Sequence, residues 1–157
     1  MTDTSNVLIS AEAVSKEFEL PQSIIGRLSG QPPLAVHALS GVSFSLNRGE
    51  TLGIVGESGC GKSTLARCLI RLFDCDGGKV LFEGQDIARL NGPARRAFNR
   101  RVQMIFQDPY SSLNPRMTVR QVLAEALSVH KMRPHADIPA RIDELLDLVR
   151  LPRDSAD

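Results

Sequence analysis

The sequence has few aromatic residues, few cysteines and almost no net charge. It contains no tryptophan, one tyrosine and three cysteines in 157 residues, and its net charge is +1. An odd number of cysteines without metal-ligand spacing disfavours a disulfide framework and a zinc site, and favours a reduced cytoplasmic chain with small buried thiols. No apolar stretch approaches the roughly 20 residues of a membrane-spanning helix, and no signal peptide opens the chain. The near-neutral charge gives no reason to propose nucleic acid as a partner.

What remains is the composition of an ordinary soluble globular protein. Hydrophobic residues make up 42% of the chain and charged residues 24%, which is enough for one domain with a real core. The local exception to the balanced charge is a basic cluster at Arg95, Arg96, Arg100 and Arg101. We interpret this cluster as the solvated face of a short helix that follows Pro93.

The most informative segment is residues 56–64, which fit the phosphate-binding loop pattern G-x-x-x-x-G-K-[ST] in full. Residues 51–55 before it are short, apolar and β-branched, and this pattern predicts a buried strand. Residues 65–72 after it contain no glycine or proline and predict a helix. A strand, a glycine-rich turn and a helix N-terminus together predict an anion site.

The chemistry of this loop follows from its residue types. Successive backbone N–H groups and the helix dipole attract phosphate, and the glycines allow backbone angles that a Cβ would obstruct. Lys62 would place its ammonium on the β- and γ-phosphates, and the Ser63 hydroxyl is a suitable hard ligand for Mg²⁺. The competing interpretation is a tight glycine turn between a strand and a helix, with Lys62 merely solvated.

Hydrophobic periodicity predicts the remaining elements. A turn at 47–50 is expected to join two strands as a hairpin. Thr118 and Gln121 form a capping-box pattern before one helix, and Asp137 is a plausible N-cap for another. The segment from Pro21 to Pro33 is predicted to be irregular. Further strands are predicted at residues 7–18, 42–46, 79–82 and 102–106, and helices at residues 118–127 and 139–150.

A second motif follows the predicted strand at 102–106. Gln107 ends that strand, and residues 107–119 read QDPYSSLNPRMTV. A glutamine offers a neutral carbonyl to Mg²⁺ and an amide to water. This stretch closely resembles the Q-loop of ATP-binding cassette (ABC) transporter subunits. Together with the phosphate loop and the segment LSGVSF at 39–44, the chain resembles the oligopeptide/dipeptide importer branch of that family over essentially its whole length.

The resemblance implies a fold and a set of binding residues. The implied fold is α/β: an ABC ATPase core with an N-terminal antiparallel β subdomain, up to the Q-loop at 1–117, and a truncated helical subdomain at 118–157. Phe18 matches the aromatic residue that stacks on adenine, and Ser63 and Gln107 match the Mg²⁺ ligands. The expected ATP contacts are Phe18, Gly56, Ser58, Gly59, Cys60, Gly61, Lys62, Ser63, Thr64 and Gln107.

The resemblance also implies partners and a location. Residues 108–117 would face membrane-spanning permease subunits, a second ATP-binding subunit would complete the ATP sandwich, and a solute-binding protein would act indirectly. The implied location is peripheral, on the cytoplasmic face of the inner membrane. Alternatively, residues 108–117 form a simple surface connection.

Parts of the family's machinery have no counterpart in the sequence. No run of four apolar residues ends in Asp-Glu, so the Mg²⁺-binding aspartate and the catalytic glutamate are missing, as are the signature motif and the switch histidine. We therefore expect an N-terminal fragment that binds Mg-ATP weakly at most and hydrolyses it negligibly, and whether it is an enzyme stays open. The alternatives are a small phosphate-loop kinase and a non-catalytic fragment that docks on a permease.

Overall fold

The structure is a computed structural model that describes residues 6–20, 34–108 and 113–156. The chain forms two compact units, residues 1–102 and residues 103–157. The predicted irregular segment from Pro21 to Pro33 and residues 109–112 of the Q-loop motif lie outside the described residues.

The first unit is built on an antiparallel sheet of four strands in the order β2-β1-β3-β4. Its strands are β1 (Val7–Glu19), β2 (Ala35–Asn47), β3 (Gly77–Phe82) and β4 (Gln85–Asp86). Alternation along β1 buries Ile9 and Ala11 on one face, because successive side chains of a strand point to opposite sides. The strands predicted at 7–18, 42–46 and 79–82 are confirmed, and β2 begins earlier than predicted.

Two helices in the described part of the first unit pack with the sheet. Helix α1 (Lys62–Leu69) follows the phosphate-loop motif, and helix α2 (Gly92–Arg101) follows a 3-10 turn at Ile87–Arg89. Leu65 and Cys68 of α1 and Phe98 of α2 are buried in the same core as the inner face of the sheet. Helix α1 is therefore packed against the sheet, and this packing fixes the position of the loop at its N-terminus.

The strands predicted at 51–55 and 102–106 are wrong, because neither segment has strand structure. The hairpin predicted between 42–46 and 51–55 is wrong as well, since β2 pairs with β1. An apolar β-branched run forms a strand only where a neighbour supplies its backbone hydrogen bonds, and no described strand pairs with either run. Val55 is 96% exposed and Ile105 95% exposed.

The described part of the second unit consists of a pair of helices and two short 3-10 segments. Helix α3 (Val119–Val129) begins at Thr118, and both hydrogen bonds of the predicted capping box with Gln121 are present. Helix α4 (Ile138–Leu148) has Asp137 at its N-cap position, but that side chain makes no capping hydrogen bond. The 3-10 segments are His135–Asp137 and Arg153–Ala156. The core of this unit consists of Leu127, Ile138, Ile142, Leu146 and Ala156.

Glu83, in the turn between β3 and β4, gives the first unit a predicted acid sensitivity. Arg101 donates two hydrogen bonds of 2.5 Å to this carboxylate, and Arg48 binds it as well. These two guanidinium groups, Arg101 foremost, lower the pKa of Glu83 from 4.5 to about 2. Because the folded-state pKa is the lower one, this stabilisation is present above pH 4.5 and is lost as the pH falls towards 2.

We expect the variant Glu83→Gln to lose the part of the acid dependence that falls in this pH range. Unfolding by urea at a series of pH values, followed by circular dichroism, measures the effect. Glu19→Gln, at an exposed carboxyl at the end of β1, is the control and is expected to keep the parent's profile. Identical pH profiles for the parent and Glu83→Gln would contradict the prediction.

Candidate functional site

The loop at residues 56–61 turns sharply into α1 through two left-handed glycines. Gly59 has φ +83° and Gly61 has φ +94°, a region that residues with a Cβ rarely adopt. The turn is closed by a 3.4 Å hydrogen bond from the Cys60 N–H to the Glu57 carbonyl. The glycines of the motif therefore stand where the backbone geometry requires them.

Gly61 also fixes the loop to the sheet. A Cβ on this residue would lie 2.3 Å from the carbonyl oxygen of Ala38 and 3.1 Å from a methyl group of Leu39, both in β2. Only a residue without a side chain allows this approach. Sequence reasoning missed the role of β2, because the contact joins residues far apart in the chain and Ala38 carries no local signal of it.

The N-terminus of α1 has the features of an anion site. Its N-cap, Gly61, makes no side-chain capping bond, and the first turn of the helix contains no acidic residue. The first helical hydrogen bond runs 2.8 Å from the Leu65 N–H to the Gly61 carbonyl. The N–H groups of Lys62, Ser63 and Thr64 come before it and have no partner within the helix. They can therefore donate to a phosphate, which the helix dipole would favour.

Lys62 reaches back over the loop. Its ammonium donates hydrogen bonds of 2.7 Å to the Gly56 carbonyl and 2.6 Å to the Glu57 carbonyl, and lies 3.5 Å from the Cys60 sulfur. A positive charge is thus held beside the uncapped helix end. Its two short hydrogen bonds are to loop carbonyls, so the ammonium could also bind an anion at the same turn.

The other loop side chains differ in exposure. Ser58 and Ser63 are exposed and Thr64 is half-buried, so the Ser63 hydroxyl is accessible at the start of the helix. Cys60 is exposed, which corrects the expectation of buried thiols for this residue, whereas Cys68 is buried. Cys60 packs against Gly56, where an added Cβ would lie 2.6 Å from its sulfur. It is exposed because a tight loop has no interior to place it in.

Phe18 lies near the end of β1, and its ring packs edge-on against Phe73 with 5.5 Å between the centroids. Phe73 follows the C-terminal end of α1, whereas the phosphate loop lies at the N-terminal end. The stacking of Phe18 on adenine therefore stays a prediction.

The backbone beside Phe18 is held by Asp76. Its carboxylate accepts a 2.7 Å hydrogen bond from the Glu17 N–H and a 2.9 Å bond from the Lys16 ammonium. These two bonds, the one from Glu17 first, hold the pKa of Asp76 below its usual range. The Lys16 ammonium also lies 5.5 Å from the centre of the Phe18 ring. The end of β1 is thus fixed in place by charge.

Gln107 is exposed and belongs to the second unit, whereas Ser63 belongs to the first. The role of Gln107 as a Mg²⁺ ligand together with Ser63 stays a prediction. Among the described residues, no group of three or more His, Cys, Asp or Glu side chains is placed to hold a metal ion. In the same described ranges, no helix is long and apolar enough to cross a membrane.

The sequence is similar to those of ABC transporter ATP-binding proteins over most of its length. A family model described as ABC transporter matches residues 39–156. The oligopeptide transport ATP-binding protein AppF of Bacillus subtilis is 43% identical over 145 residues, which cover 92% of this chain and 43% of that protein. OppF of the same organism is 48% identical over 127 residues, covering 80% of this chain and 42% of that protein. The chain thus spans about two fifths of the length of these curated relatives.

Solved structures support the fold. The ATP-binding cassette MJ0796, determined as a dimer in a post-hydrolysis state with ADP and Pi, matches with a TM-score of 0.68 at 20% identity. The match covers 95% of this chain and 60% of that one. The structure of cbiO1 from Clostridium perfringens matches with a TM-score of 0.63 at 22% identity, over 97% of this chain and 53% of that one. The predicted α/β fold with an antiparallel β subdomain is confirmed.

Proposed function

Since this chain belongs to the ABC transporter family, we propose that residues 56–64 bind the phosphates of Mg-ATP in an ATP-binding subunit of a peptide importer. The observation that carries the proposal is the uncapped N-terminus of α1 with the Lys62 ammonium held beside it. The names of the relatives AppF and OppF, both oligopeptide transport ATP-binding proteins, support the choice of peptide import.

The phosphate contacts follow from the chemistry of the loop. The N–H groups of Gly59, Gly61, Lys62 and Ser63 and the hydroxyl of Thr64 would donate to phosphate oxygens, while Lys62 adds a charge-assisted bond. To do so, its ammonium would exchange the Gly56 and Glu57 carbonyls for phosphate oxygens. Loop carbonyls are weaker acceptors than a triphosphate, so this exchange favours the bound state.

The proposal assigns Mg²⁺ to Ser63 and Gln107, and Phe18 to adenine. The exposed hydroxyl of Ser63 and the carbonyl oxygen of Gln107 are hard neutral ligands of the kind that Mg²⁺ accepts. When bound, the ion would neutralise charge on the β- and γ-phosphate oxygens. Phe18 would supply a ring face to the base, a contact that favours any purine.

At the level of the whole protein, we propose that this chain works with other subunits. It would dimerise with a second ATP-binding subunit around two ATP molecules, with residues 108–117 facing membrane-spanning permease subunits. A solute-binding protein would deliver the peptide. In this arrangement the chain would lie at the cytoplasmic face of the membrane, with residues 1–117 as the β subdomain and core and 118–157 as part of the helical subdomain.

We further propose that the 157-residue chain binds nucleotide without measurable turnover. Phosphoryl transfer to water needs a group that orients the attacking water, and the sequence contains no apolar run ending in Asp-Glu to supply it. Steady phosphate release above that of a heat-denatured sample would refute this part of the proposal and leave nucleotide binding untouched.

The binding site is tested by the variant Lys62→Ala. Loss of one charge-assisted hydrogen bond costs about 1.5–3 kcal/mol, so we expect nucleotide affinity to fall by at least about ten-fold. Equilibrium titration of the chain with a fluorescent ATP analogue and Mg²⁺ measures the change, and circular dichroism checks that the fold is retained.

Lys79→Ala is the matched control, because Lys79 lies on β3 and pairs with Glu12 at 3.0 Å. It removes the same charge from the same unit and is expected to keep the parent's affinity. Equal affinity of the parent and Lys62→Ala for the analogue would refute the assigned role of Lys62. Transfer of phosphate to a small-molecule acceptor would favour a kinase instead.

A further inference from the structure

Helix α2 carries an unbalanced positive charge. Its sequence, GPARRAFNRR, contains four arginines and no acidic residue. The arginines do not all serve the same purpose, however. Arg101 binds the Glu83 carboxylate, and its guanidinium lies 4.7 Å from the centre of the Phe82 ring. Both contacts are within the first unit, so Arg101 serves to stabilise the fold.

The other three arginines form an exposed surface, here called the arginine surface: Arg95, Arg96 and Arg100. Phe98 is two residues from both Arg96 and Arg100 and anchors the side of the helix opposite to them, with 3% of its surface exposed and its ring 5.3 Å from that of Phe82. Arg95, three residues from Phe98, lies at the flank of the helix. Arg96 and Arg100 are four residues apart, which places them one turn apart on the same side. Arg95 adjoins Arg96, so the three guanidinium groups lie on one stretch of helix.

Within the described ranges 6–20, 34–108 and 113–156, the three members of the arginine surface form no ion pair. Neighbouring arginines behave differently: Arg89 pairs with Asp86, and Arg48 pairs with Glu83. The carboxylates of Asp86 and Glu83 are thus already engaged. Three like charges left together repel one another, and an external anion would relieve that repulsion.

We propose that the arginine surface binds the anionic headgroups of phospholipids at a membrane surface. Guanidinium groups bind phosphate in a bidentate manner, and clustered basic residues on a helix are attracted to anionic leaflets. The two alanines beside the arginines are small: Ala94, before Arg95, and Ala97, after Arg96, are exposed and add no bulk that would hold the charges away from a flat surface.

A nucleic acid is a less suitable partner for this surface. Proteins that bind single strands combine basic grooves with aromatic side chains on which the bases stack. The aromatic residue of α2, Phe98, is buried and faces the core. The choice of a membrane rests in part on the proposed function, which places the chain beside one; the arginine surface itself does not depend on nucleotide binding.

The test is co-sedimentation of the 157-residue chain with vesicles rich in phosphatidylglycerol and with vesicles of phosphatidylcholine alone. We expect binding to the anionic vesicles only, weakening as salt is added. Each basic side chain contributes about five-fold to binding at such a surface. The triple variant Arg95→Gln, Arg96→Gln, Arg100→Gln is therefore expected to lose roughly a hundred-fold in affinity.

The control removes the same charge elsewhere: Lys131→Gln, Arg133→Gln, Arg150→Gln, at exposed positions of the second unit. It is expected to bind anionic vesicles nearly as well as the parent. Equal loss in the control and the triple variant, or no loss in the triple variant, would overturn the proposal. So would binding of the parent to a single-stranded RNA in preference to the anionic vesicles.

The variant Lys62→Ala separates this proposal from the proposed function. It is expected to bind anionic vesicles as the parent does while losing nucleotide. Failure of nucleotide binding alone would thus leave the arginine surface standing, and loss of vesicle binding in Lys62→Ala would overturn the assignment to α2.

Discussion

Replacing Gly61 by alanine is expected to lower the free energy of unfolding of the first unit by about 3 kcal/mol or more. The left-handed backbone at φ +94° alone costs about 1–2 kcal/mol once a Cβ is present. The larger part comes from the carbonyl oxygen of Ala38, which would lie 2.3 Å from the new carbon. That oxygen belongs to the backbone of β2, so it cannot move without disturbing the sheet.

The comparison with Gly59→Ala separates the two contributions. Gly59 has a similar backbone angle, φ +83°, but nothing lies within 4 Å of an added Cβ. Its cost is therefore the strain alone, about 1–2 kcal/mol. Urea unfolding of both variants, with amide hydrogen exchange of β1 and β2, measures the difference. Equal losses of stability would show that the loop moves away from β2 without cost.

The phosphate loop could be predicted from sequence because its physics is local. The glycines, the lysine and the helix that follows lie within fourteen consecutive residues, 56–69. Backbone angle and helix start depend on those residues alone. The contact between Gly61 and Ala38 could not be predicted in this way, because Ala38 belongs to β2, a strand distant in sequence that pairs with β1.

The two strand predictions were wrong because strand formation depends on residues that are distant in the sequence. Residues 51–55 and 102–106 have the composition of buried strands, but a strand is made by its neighbours as much as by its own side chains. None of the described strands hydrogen-bonds to either run, and Val55 and Ile105 are almost fully exposed. Composition records a preference for burial, whereas pairing depends on which other strands are present.

The residues predicted to bind ATP also fall into a local group and a distant group. The loop residues from Gly56 to Thr64 lie together with the start of α1, as their spacing requires. Phe18 contacts Phe73, and Gln107 belongs to the second unit. Their roles toward adenine and Mg²⁺ depend on geometry that spacing cannot determine, so both remain part of the proposal.

The helical unit was predictable because capping and periodicity both act locally. The capping box of Thr118 and Gln121 and the apolar stripe of α4 indicated two helices, and both are present. The stripe, Ile142, Leu145, Leu146 and Val149, indicated only part of the packing, because Val149 is 68% exposed. Ile142 and Leu146 are 2% and 1% exposed, one turn apart on the inner face.

That packing leads to the second large effect: Leu146→Ala is expected to destabilise the second unit by about 2–5 kcal/mol. Leu146 is among the most buried large side chains, and among the described residues of this unit it shares a small core with Leu127, Ile138, Ile142 and Ala156. With so few neighbours, the cavity left by the truncation cannot be filled by small shifts of many side chains. Amide hydrogen exchange of α3 and α4 measures the loss within this unit.

Leu148→Ala is the matched control, because Leu148 ends the same helix and is 78% exposed. It removes the same atoms without opening a cavity, so its effect is expected to stay within about 0.5 kcal/mol. Faster exchange throughout α3 and α4 in Leu146→Ala, but not in Leu148→Ala, would show that the five buried residues hold the helices together. Similar exchange in both variants would mean that helix propensity and the capping box, rather than this core, stabilise the unit.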